Sequence, residues 1–254
     1  EGEVRPPKLV YENDLFPLKR IKSPMDGDCL LMKHILPQDG EIEFYLPMTS
    51  VYSQDKFKEA MARNGILYDP KNGQGGAIMD YIIKWGKHLQ TTQKADIMRM
   101  QMGWTPNRES FVIGERELTR DGHDIEAPTS PLCRGIASHM KTHGTYELWK
   151  EAANKLNQPA FTMLAGFGSV LMDYTSTSGV TISLTGESGA AKTGALYSAL
   201  SLWGHPKDLS VLNATENGMV GRFLGLHNIP FGLDEVGNIL PKTLSQTIHN
   251  ISQG

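Results

Sequence analysis

The stretch Gly186-Glu187-Ser188-Gly189-Ala190-Ala191-Lys192-Thr193 decides the expected fold of this 254-residue chain. Its small residues let the backbone curl so that successive N–H groups point at phosphate oxygens. Lys192 would place a positive charge on the β and γ phosphates of ATP, and the Thr193 hydroxyl would ligate Mg²⁺. The octet, residues 186 to 193, therefore predicts a phosphate-binding loop that is followed by a helix.

The sequence on both sides of the octet fits this interpretation. Val180, Ile182 and Leu184 alternate with polar residues, which predicts a short strand leading into the loop. After the octet, apolar residues recur over 195–202 as in a helix, whose positive N-terminal end would face the phosphates.

Ala191 stands where this kind of loop usually has glycine, directly before the lysine. Alanine in the first turn of a helix costs little sterically, so we expect this variant to be tolerated. The alternative for the octet by itself is a Gly/Ala-rich turn between a strand and a helix, with a surface lysine.

A second motif, Ile229-Pro230-Phe231-Gly232-Leu233-Asp234-Glu235, is an apolar run that ends in two carboxylates. In P-loop ATPases a buried strand brings such an aspartate close to the magnesium ion, and a following glutamate polarises the attacking water. We therefore expect Asp234 to organise Mg²⁺ and Glu235 to act as the general base, with Lys192 as the second catalytic group. The alternative is a strand that ends in a solvated acidic turn.

Between the two motifs, residues 209–215 are typical of a strand, and residues 219–224 carry apolar side chains at helical spacing. Strands that alternate with helices predict a parallel sheet. Asn213 and Thr215 would then lie near the γ phosphate, at the carboxyl end of the middle strand. A helix N-cap at Thr215 or Asn217 is at least as good an interpretation.

The chain from Trp149 to Gly254 resembles a family of phage and mobile-element ATPases, usually labelled helicase-like or primase-helicase proteins, whose conserved region is catalogued as a domain of unknown function. The resemblance rests on the P-loop and on the stretches "NATENG", "HNIPFGLDEVG" and "NISQG". It extends upstream to about residue 40, because Met102-Gly103-Trp104 and Phe111-Val112-Ile113-Gly114 look like the "GW" and "fvlG" elements of that family.

This resemblance implies a RecA- or AAA-like ATPase domain that binds ATP and Mg²⁺. It further implies a phage or mobile-element replicative DNA helicase or primase-helicase, forming a homo-oligomeric ring, such as a hexamer, that couples hydrolysis to translocation on single-stranded DNA. The alternative function is a nucleotide-gated assembly or DNA-binding module with slow or no hydrolysis. A small-molecule phosphotransferase is a third hypothesis, but the Asp-Glu pair favours water as the phosphoryl acceptor.

The expected fold class is α/β: a P-loop NTPase with a parallel sheet and flanking helices, preceded by a smaller α+β domain. We predict a loop-rich lead-in over 1–40, where five prolines occur, an N-terminal domain over 41–140 and the ATPase domain over 141–254. Little sequence follows Glu235, so the sensor strand and arginine finger are expected beyond Gly254, which would leave the sheet C-terminally incomplete.

Local patterns predict further elements in both expected domains. We expect helices over 55–63, 76–89, 145–156 and 161–172, a strand with inward-facing methionines over 98–102, a hairpin over 110–118 around Gly114, and a surface loop over 120–132.

Composition limits the possible partners. A net charge of −3 and a pI near 6.3 show no overall basic character, so DNA contacts would come from local patches or from the channel of a ring. Cys29 and Cys133 form neither a CxxC pair nor a disulfide framework, which fits a reducing cytoplasm, that of the host if the gene is phage-encoded. No run reaches the ~18 apolar residues of a membrane span.

Overall fold

The computed structural model describes residues 9–141, 144–155, 160–177, 179–211 and 216–234, together with the single positions 245 and 249. These residues belong to two compact units that meet in the chain between Met98 and Arg99. This division differs from the predicted one, which placed the boundary between residues 140 and 141.

The first unit is built on a four-stranded sheet with the order β3-β2-β1-β4. Its strands are β1 (Asp14–Ser23), β2 (Gly27–Leu36), β3 (Gly40–Pro47) and β4 (Asp96–Ile97). The first three pair antiparallel through short turns, and β4 pairs parallel to β1. Gly27 and Gly40 adopt φ values of 73° and 80° at the ends of the turns, which glycine does at least cost.

The predicted loop-rich lead-in over 1–40 is wrong for residues 14–36, which form β1 and β2. The prolines that suggested loops do not interrupt the pairing of these strands. Pro24 and Pro37 lie in the two turns, and Pro17 lies where the register between β1 and β2 shifts. A proline is tolerated at such an irregularity because no ladder hydrogen bond is lost there.

Helices cover one side of this sheet. They are α1 (Met48–Val51), α2 (Gln54–Arg63) and α3 (Gln74–Thr92), with a 3-10 turn at Pro70–Asn72. The structure confirms the helices predicted over 55–63 and 76–89. Ile78, Ile82 and Leu89 of α3 enter the core, whereas Tyr81 and Trp85, predicted on the same face, are each 38% exposed.

The second unit begins with an antiparallel sheet in the order β5-β6-β7-β8. Its strands are β5 (Gly103–Trp104), β6 (Ser110–Ile113), β7 (Arg116–Thr119) and β8 (Asp124–Glu126). The hairpin predicted around Gly114 is confirmed by the pairing of β6 with β7. The predicted surface loop over 120–132 instead contains β8 and the start of α4 (Pro131–Ala137). The strand predicted over 98–102 is not formed: Met102 and Met98, the last residue of the first unit, are buried, but Met100 is only half-buried.

The rest of this unit is mostly helical. Its helices are α5 (Tyr146–Lys155), α6 (Ala160–Gly168), α7 (Lys192–Leu200), α8 (Pro206–Leu209) and α9 (Glu216–Gly225), with a 3-10 segment at Ser169–Tyr174. The helices predicted over 145–156 and 161–172 are thus present. The prediction that one face of α5 enters the core is wrong. Trp149 is half-buried, and no residue of 146–155 is fully buried.

Two short strands complete the described part of the second unit. β9 (Ser210–Val211) and β10 (Gly232–Leu233) pair parallel, with Gly232 opposite Ser210 and Leu233 opposite Val211. Helix α9 lies between them in the chain, so residues 210–233 have the strand, helix, strand order that the sequence predicted. None of the helices in the described ranges is long and apolar enough to cross a membrane.

Candidate phosphate-binding site

The loop over 186–191 curls tightly before α7 begins at Lys192. Gly186 and Gly189 have φ values of 149° and 83°, and the N–H of Ala190 donates to the carbonyl of Glu187 across 3.2 Å. Positive φ values at closely spaced positions turn the backbone back on itself, so that its amide groups line a concave surface. The octet therefore forms the compact loop that the sequence predicted.

Lys192 reaches back across this loop. Its Nζ donates to the carbonyl oxygens of Gly186, at 2.9 Å, and Glu187, at 2.7 Å. These two bonds fix the ammonium group at the opening of the loop, and among the described residues they use two of its three N–H donors. A positive charge is thus held where an anion that enters the loop would meet it.

Ala191 is the N-cap residue of α7 and adopts a left-handed conformation, with φ 55° and ψ 26°. The expectation that alanine costs little here, as a first-turn residue, is wrong. It lies just before the helix, where its Cβ crowds the backbone and raises the energy by about 1–2 kcal/mol relative to a right-handed conformation. Glycine would avoid this cost, which explains physically why loops of this type use it before the lysine.

The N-terminus of α7 is open toward the loop. Ala191 has no side chain that could accept a hydrogen bond from the first turn, and no side-chain cap is formed. The N–H groups of Lys192, Thr193 and Gly194 have no intrahelical acceptor, because the first turn of any helix lacks them. These donors and the helix dipole favour an anion at this point, beside the Lys192 ammonium.

Asp234 lies beside this helix N-terminus. The Thr193 hydroxyl donates to Oδ1 of Asp234 across 3.4 Å. The contact depends on how β10 packs on α7: a Cβ on Gly232 would lie 2.6 Å from Leu200 Cδ1 and 3.2 Å from Leu196 Cδ1. Because a glycine leaves the two leucine side chains undisturbed, β10 can run close alongside α7 and bring the next carboxylate to its first turn.

The residues at this point fit a magnesium nucleotide. Mg²⁺ prefers oxygen ligands and keeps several water or phosphate ligands, so one hydroxyl and one carboxylate are a sufficient protein contribution. Thr193 and Asp234 supply these two oxygens next to the lysine and the helix N-terminus. A metal site made of protein ligands alone is not found among the described residues, which contain no group of three or more His, Cys, Asp or Glu side chains that could hold a metal ion.

Three predicted functional positions lie outside the described residues, namely Glu235, Asn213 and Thr215. The strand expected before the loop is not formed: residues 180–185 belong to no helix or strand, and Val180 is 62% exposed. The predicted site residues that the structure brings together are therefore the loop residues 186–193 and Asp234.

Sequence reasoning missed the segment that fixes the chain ahead of β10. The N–H of Met102 donates to the Gly225 carbonyl at 2.9 Å, and the N–H of His227 donates back to the Met102 carbonyl at 3.0 Å. The Trp104 N–H donates to Oδ1 of Asn228 at 3.2 Å. The bonds from residues 102–104 thus hold residues 225–228, which lead into β10.

Gly103 makes this close approach possible. Its φ is 108°, and a Cβ at this position would lie 1.9 Å from the carbonyl oxygen of His227. The sequence contained two signals, Gly103 directly before a tryptophan and Asn228 two residues before Pro230, and Asn228 adopts a φ of 59°. Neither signal indicated that the two segments meet, because they are more than 100 residues apart.

Comparisons with known proteins identify one family. A protein-family model described as a domain of unknown function (DUF927) matches residues 33–254. Among curated proteins, none matches this chain.

Proposed function

The chain belongs to the DUF927 family, whose description states no activity, and from its own site we propose that it is an ATP-hydrolysing P-loop domain. The observation that carries this proposal is the contact between Thr193 and Asp234, 3.4 Å apart, beside a lysine that is held over a glycine-containing loop. A generic turn between a strand and a helix does not require these three groups to converge. A site for Mg²⁺ and the phosphates of ATP does.

Each residue has a defined part in this proposal. The backbone N–H groups of 186–193 would bind the β phosphate, Lys192 would neutralise charge on the β and γ phosphates, and Thr193 and Asp234 would hold Mg²⁺. The metal ion would supply charge stabilisation at the phosphoryl oxygens. Glu235 directly follows Asp234 in the sequence, and we assign it the orientation and deprotonation of the attacking water.

The work that hydrolysis drives is the second part of the proposal. The sequence resemblance supports a replicative DNA helicase or primase-helicase motor that assembles as a ring, such as a hexamer, and moves along single-stranded DNA. The fold proposed for it is a RecA- or AAA-like parallel sheet, and the parallel β9–β10 pair next to α7 supports this fold. Both cysteines are free, which supports a reducing cytoplasmic setting.

ATP turnover by the full-length protein, with and without single-stranded DNA, tests both parts. We expect Mg²⁺-dependent turnover that DNA stimulates and that Lys192→Ala abolishes. Lys150→Ala is the matched control, since it removes an exposed lysine of α5 and should leave turnover unchanged. If Lys192→Ala hydrolyses ATP as fast as the unmodified protein, the assigned site is wrong.

A Glu235→Gln variant separates a motor from a nucleotide-gated assembly module. It keeps the size and hydrogen-bonding capacity of the side chain but removes the base, so ATP should still bind while turnover falls by about 10²–10⁴-fold. Loss of DNA unwinding in this variant would support the motor. Full biological function without hydrolysis would instead favour an assembly module that nucleotide binding alone controls.

A further inference from the structure

The second unit contains an apolar cavity of about 380 Å³ that is separate from the phosphate-binding loop. Six apolar side chains form its walls: Trp104, Phe111, Ile113, Leu118, Val170 and Trp203. Arg120 also borders it. This volume lies in the range of small-molecule sites, which are mostly apolar with a few polar groups at defined positions.

The aromatic walls are held in fixed orientations. The Trp104 indole N–H donates to the Val170 carbonyl at 2.8 Å, and the Trp203 indole N–H donates to the Gly166 carbonyl at 3.1 Å. The Phe111 ring lies edge-on to Trp104, with centroids 5.2 Å apart, and nearly parallel to Trp203 at 6.3 Å. Because both indole N–H groups are already bonded, what the walls offer a ligand is aromatic and aliphatic carbon.

Arg120 adds a positive charge to this apolar site. In the described part of the second unit, Arg99, Arg108, Arg116 and Arg134 each form an ion pair with a carboxylate. The exposed Arg120 guanidinium has no carboxylate partner among the described residues. Its fork of N–H donors matches the oxygens of a phosphate group.

We propose that this cavity binds a nucleotide unit, with its base against the aromatic walls and its phosphate on Arg120. A flat ring that carries an anionic group satisfies both features of the site, whereas a purely aliphatic ligand would leave the arginine unused. Stacking of bases on aromatic side chains is tolerant of base identity, so the site should accept more than one base. The nucleotide can come from a free mononucleotide or from a single strand, and the second source rests on the proposed DNA function.

Two residues that line the cavity are connected to the elements that carry the phosphate site. Trp203 follows α7, which begins with Lys192. The backbone N–H of Trp104 donates to the side chain of Asn228, and Asn228 precedes β10 and Asp234. A ligand that shifts these two tryptophans would therefore act on both elements. Occupancy of the cavity should change the ATP affinity, and the effect must be reciprocal.

The test measures binding by the full chain in a Lys192→Ala background, where the phosphate-binding loop is disabled. The probes are AMP, adenosine and an oligodeoxythymidylate of about 12 nucleotides. Leu118→Trp fills the cavity from an exposed position of β7. Ile125→Trp is the matched control: it introduces the same side chain on β8 at a position that is 48% exposed and does not line the cavity.

We expect Leu118→Trp to weaken binding of AMP or of the oligonucleotide by about tenfold or more, and Ile125→Trp to leave it unchanged. Arg120→Ala should remove the preference for AMP over adenosine, because only AMP carries the phosphate. Binding of AMP alone would identify a mononucleotide site, and binding of the oligonucleotide alone a strand site. The proposal is overturned if AMP and the oligonucleotide both fail to bind or if Leu118→Trp has no effect, and neither result depends on ATP hydrolysis.

Discussion

The Thr193 hydroxyl and the Asp234 carboxylate lie 3.4 Å apart, although the two residues are 41 positions apart in the chain. If these two oxygens hold Mg²⁺, Thr193→Val and Asp234→Asn should each weaken Mg²⁺-dependent ATP binding by about tenfold or more. Thr193→Ser keeps the hydroxyl and should bind almost normally. Calorimetric titration with ATP, in the presence of Mg²⁺ and then of EDTA, measures this. Equal affinities for the valine and serine variants would exclude Thr193 as a ligand.

The strained conformation of Ala191 gives a second prediction. Ala191→Gly should raise the free energy of unfolding by about 0.5–1 kcal/mol, because relief of the left-handed alanine outweighs the entropy that glycine adds to the unfolded chain. Ala195→Gly is the matched control within α7, and it should lower the free energy of unfolding by about 1 kcal/mol. Urea unfolding followed by tryptophan fluorescence measures both, since three of the four tryptophans lie in the second unit. Destabilisation by both glycines would show that Ala191 is not strained.

The geometry of the proposed phosphate site could be predicted from sequence because it is mostly local. Residues 186–193 fold on themselves, and the strand, helix, strand order over 210–233 determines on which side Asp234 emerges. The contact of Trp104 with Asn228 could not be predicted, because it joins segments 124 residues apart through a backbone N–H. The prediction for residues 14–36 is wrong because prolines favour loops in general, whereas these prolines lie in turns and at a register shift, where strand pairing tolerates them.

The ion pair between Arg99 and Glu117 supports the sheet that carries the cavity. Arg99 donates from Nε and one terminal nitrogen to the two carboxylate oxygens, both at 2.9 Å, and the Ser110 hydroxyl also donates to Glu117. Glu117 is only 7% exposed. Glu117→Ala should lower the free energy of unfolding by about 3 kcal/mol, since it leaves the partly buried guanidinium without its partner.

The double variant Arg99→Met, Glu117→Leu tests the cause of that loss. It removes both charges and replaces them with apolar side chains, so we expect it to recover most of the stability. Urea unfolding of the single and double variants completes the cycle. If the double variant is less stable than Glu117→Ala, the loss of stability comes from loss of the ion pair itself and not from the unpaired arginine.

The two cysteines should be unreactive in the folded protein. Burial, followed by the charges of Asp26 and Asp28, raises the pKa of Cys29 to about 11, and burial also raises the pKa of Cys133. At about pH 8 both thiols should therefore be protonated and alkylate far more slowly than in urea, where the pKa returns to about 8.5. An exposed Ser176→Cys variant is the control and should label quickly.

Intact-mass spectrometry after iodoacetamide treatment counts the labelled thiols. The raised pKa of Cys29 also makes the free energy of unfolding depend on pH. The stabilisation due to the protonated thiol is complete below the unfolded pKa and is lost as pH rises through about 11. Labelling of Cys29 should accelerate over the same interval. Rapid labelling of Cys29 at about pH 8 without urea would show that β2, which contains this residue, opens easily.

Gly166 sets the distance between α6 and α7, the helix that follows the proposed phosphate loop. A Cβ on Gly166 would lie 2.6 Å from the carbonyl oxygen and 3.1 Å from the Cα of Ala199, both backbone atoms of α7. Gly166→Ala must therefore push α6 and α7 apart, and we expect it to lower the free energy of unfolding by about 1–3 kcal/mol. Since Lys192 and Thr193 begin α7, ATP affinity should fall as well.

Gly168→Ala is the control for this prediction. Gly168 has a φ of −62°, and a Cβ there would meet no atom within 4 Å. The same substitution two residues further along should therefore be neutral or stabilise the protein by about 0.5 kcal/mol, because it restricts the unfolded chain without creating a clash. Urea unfolding of both variants measures the change in the free energy of unfolding, and ATP titration measures the change in affinity. Equal effects at the two positions would mean that the Gly166 contact does not position α7.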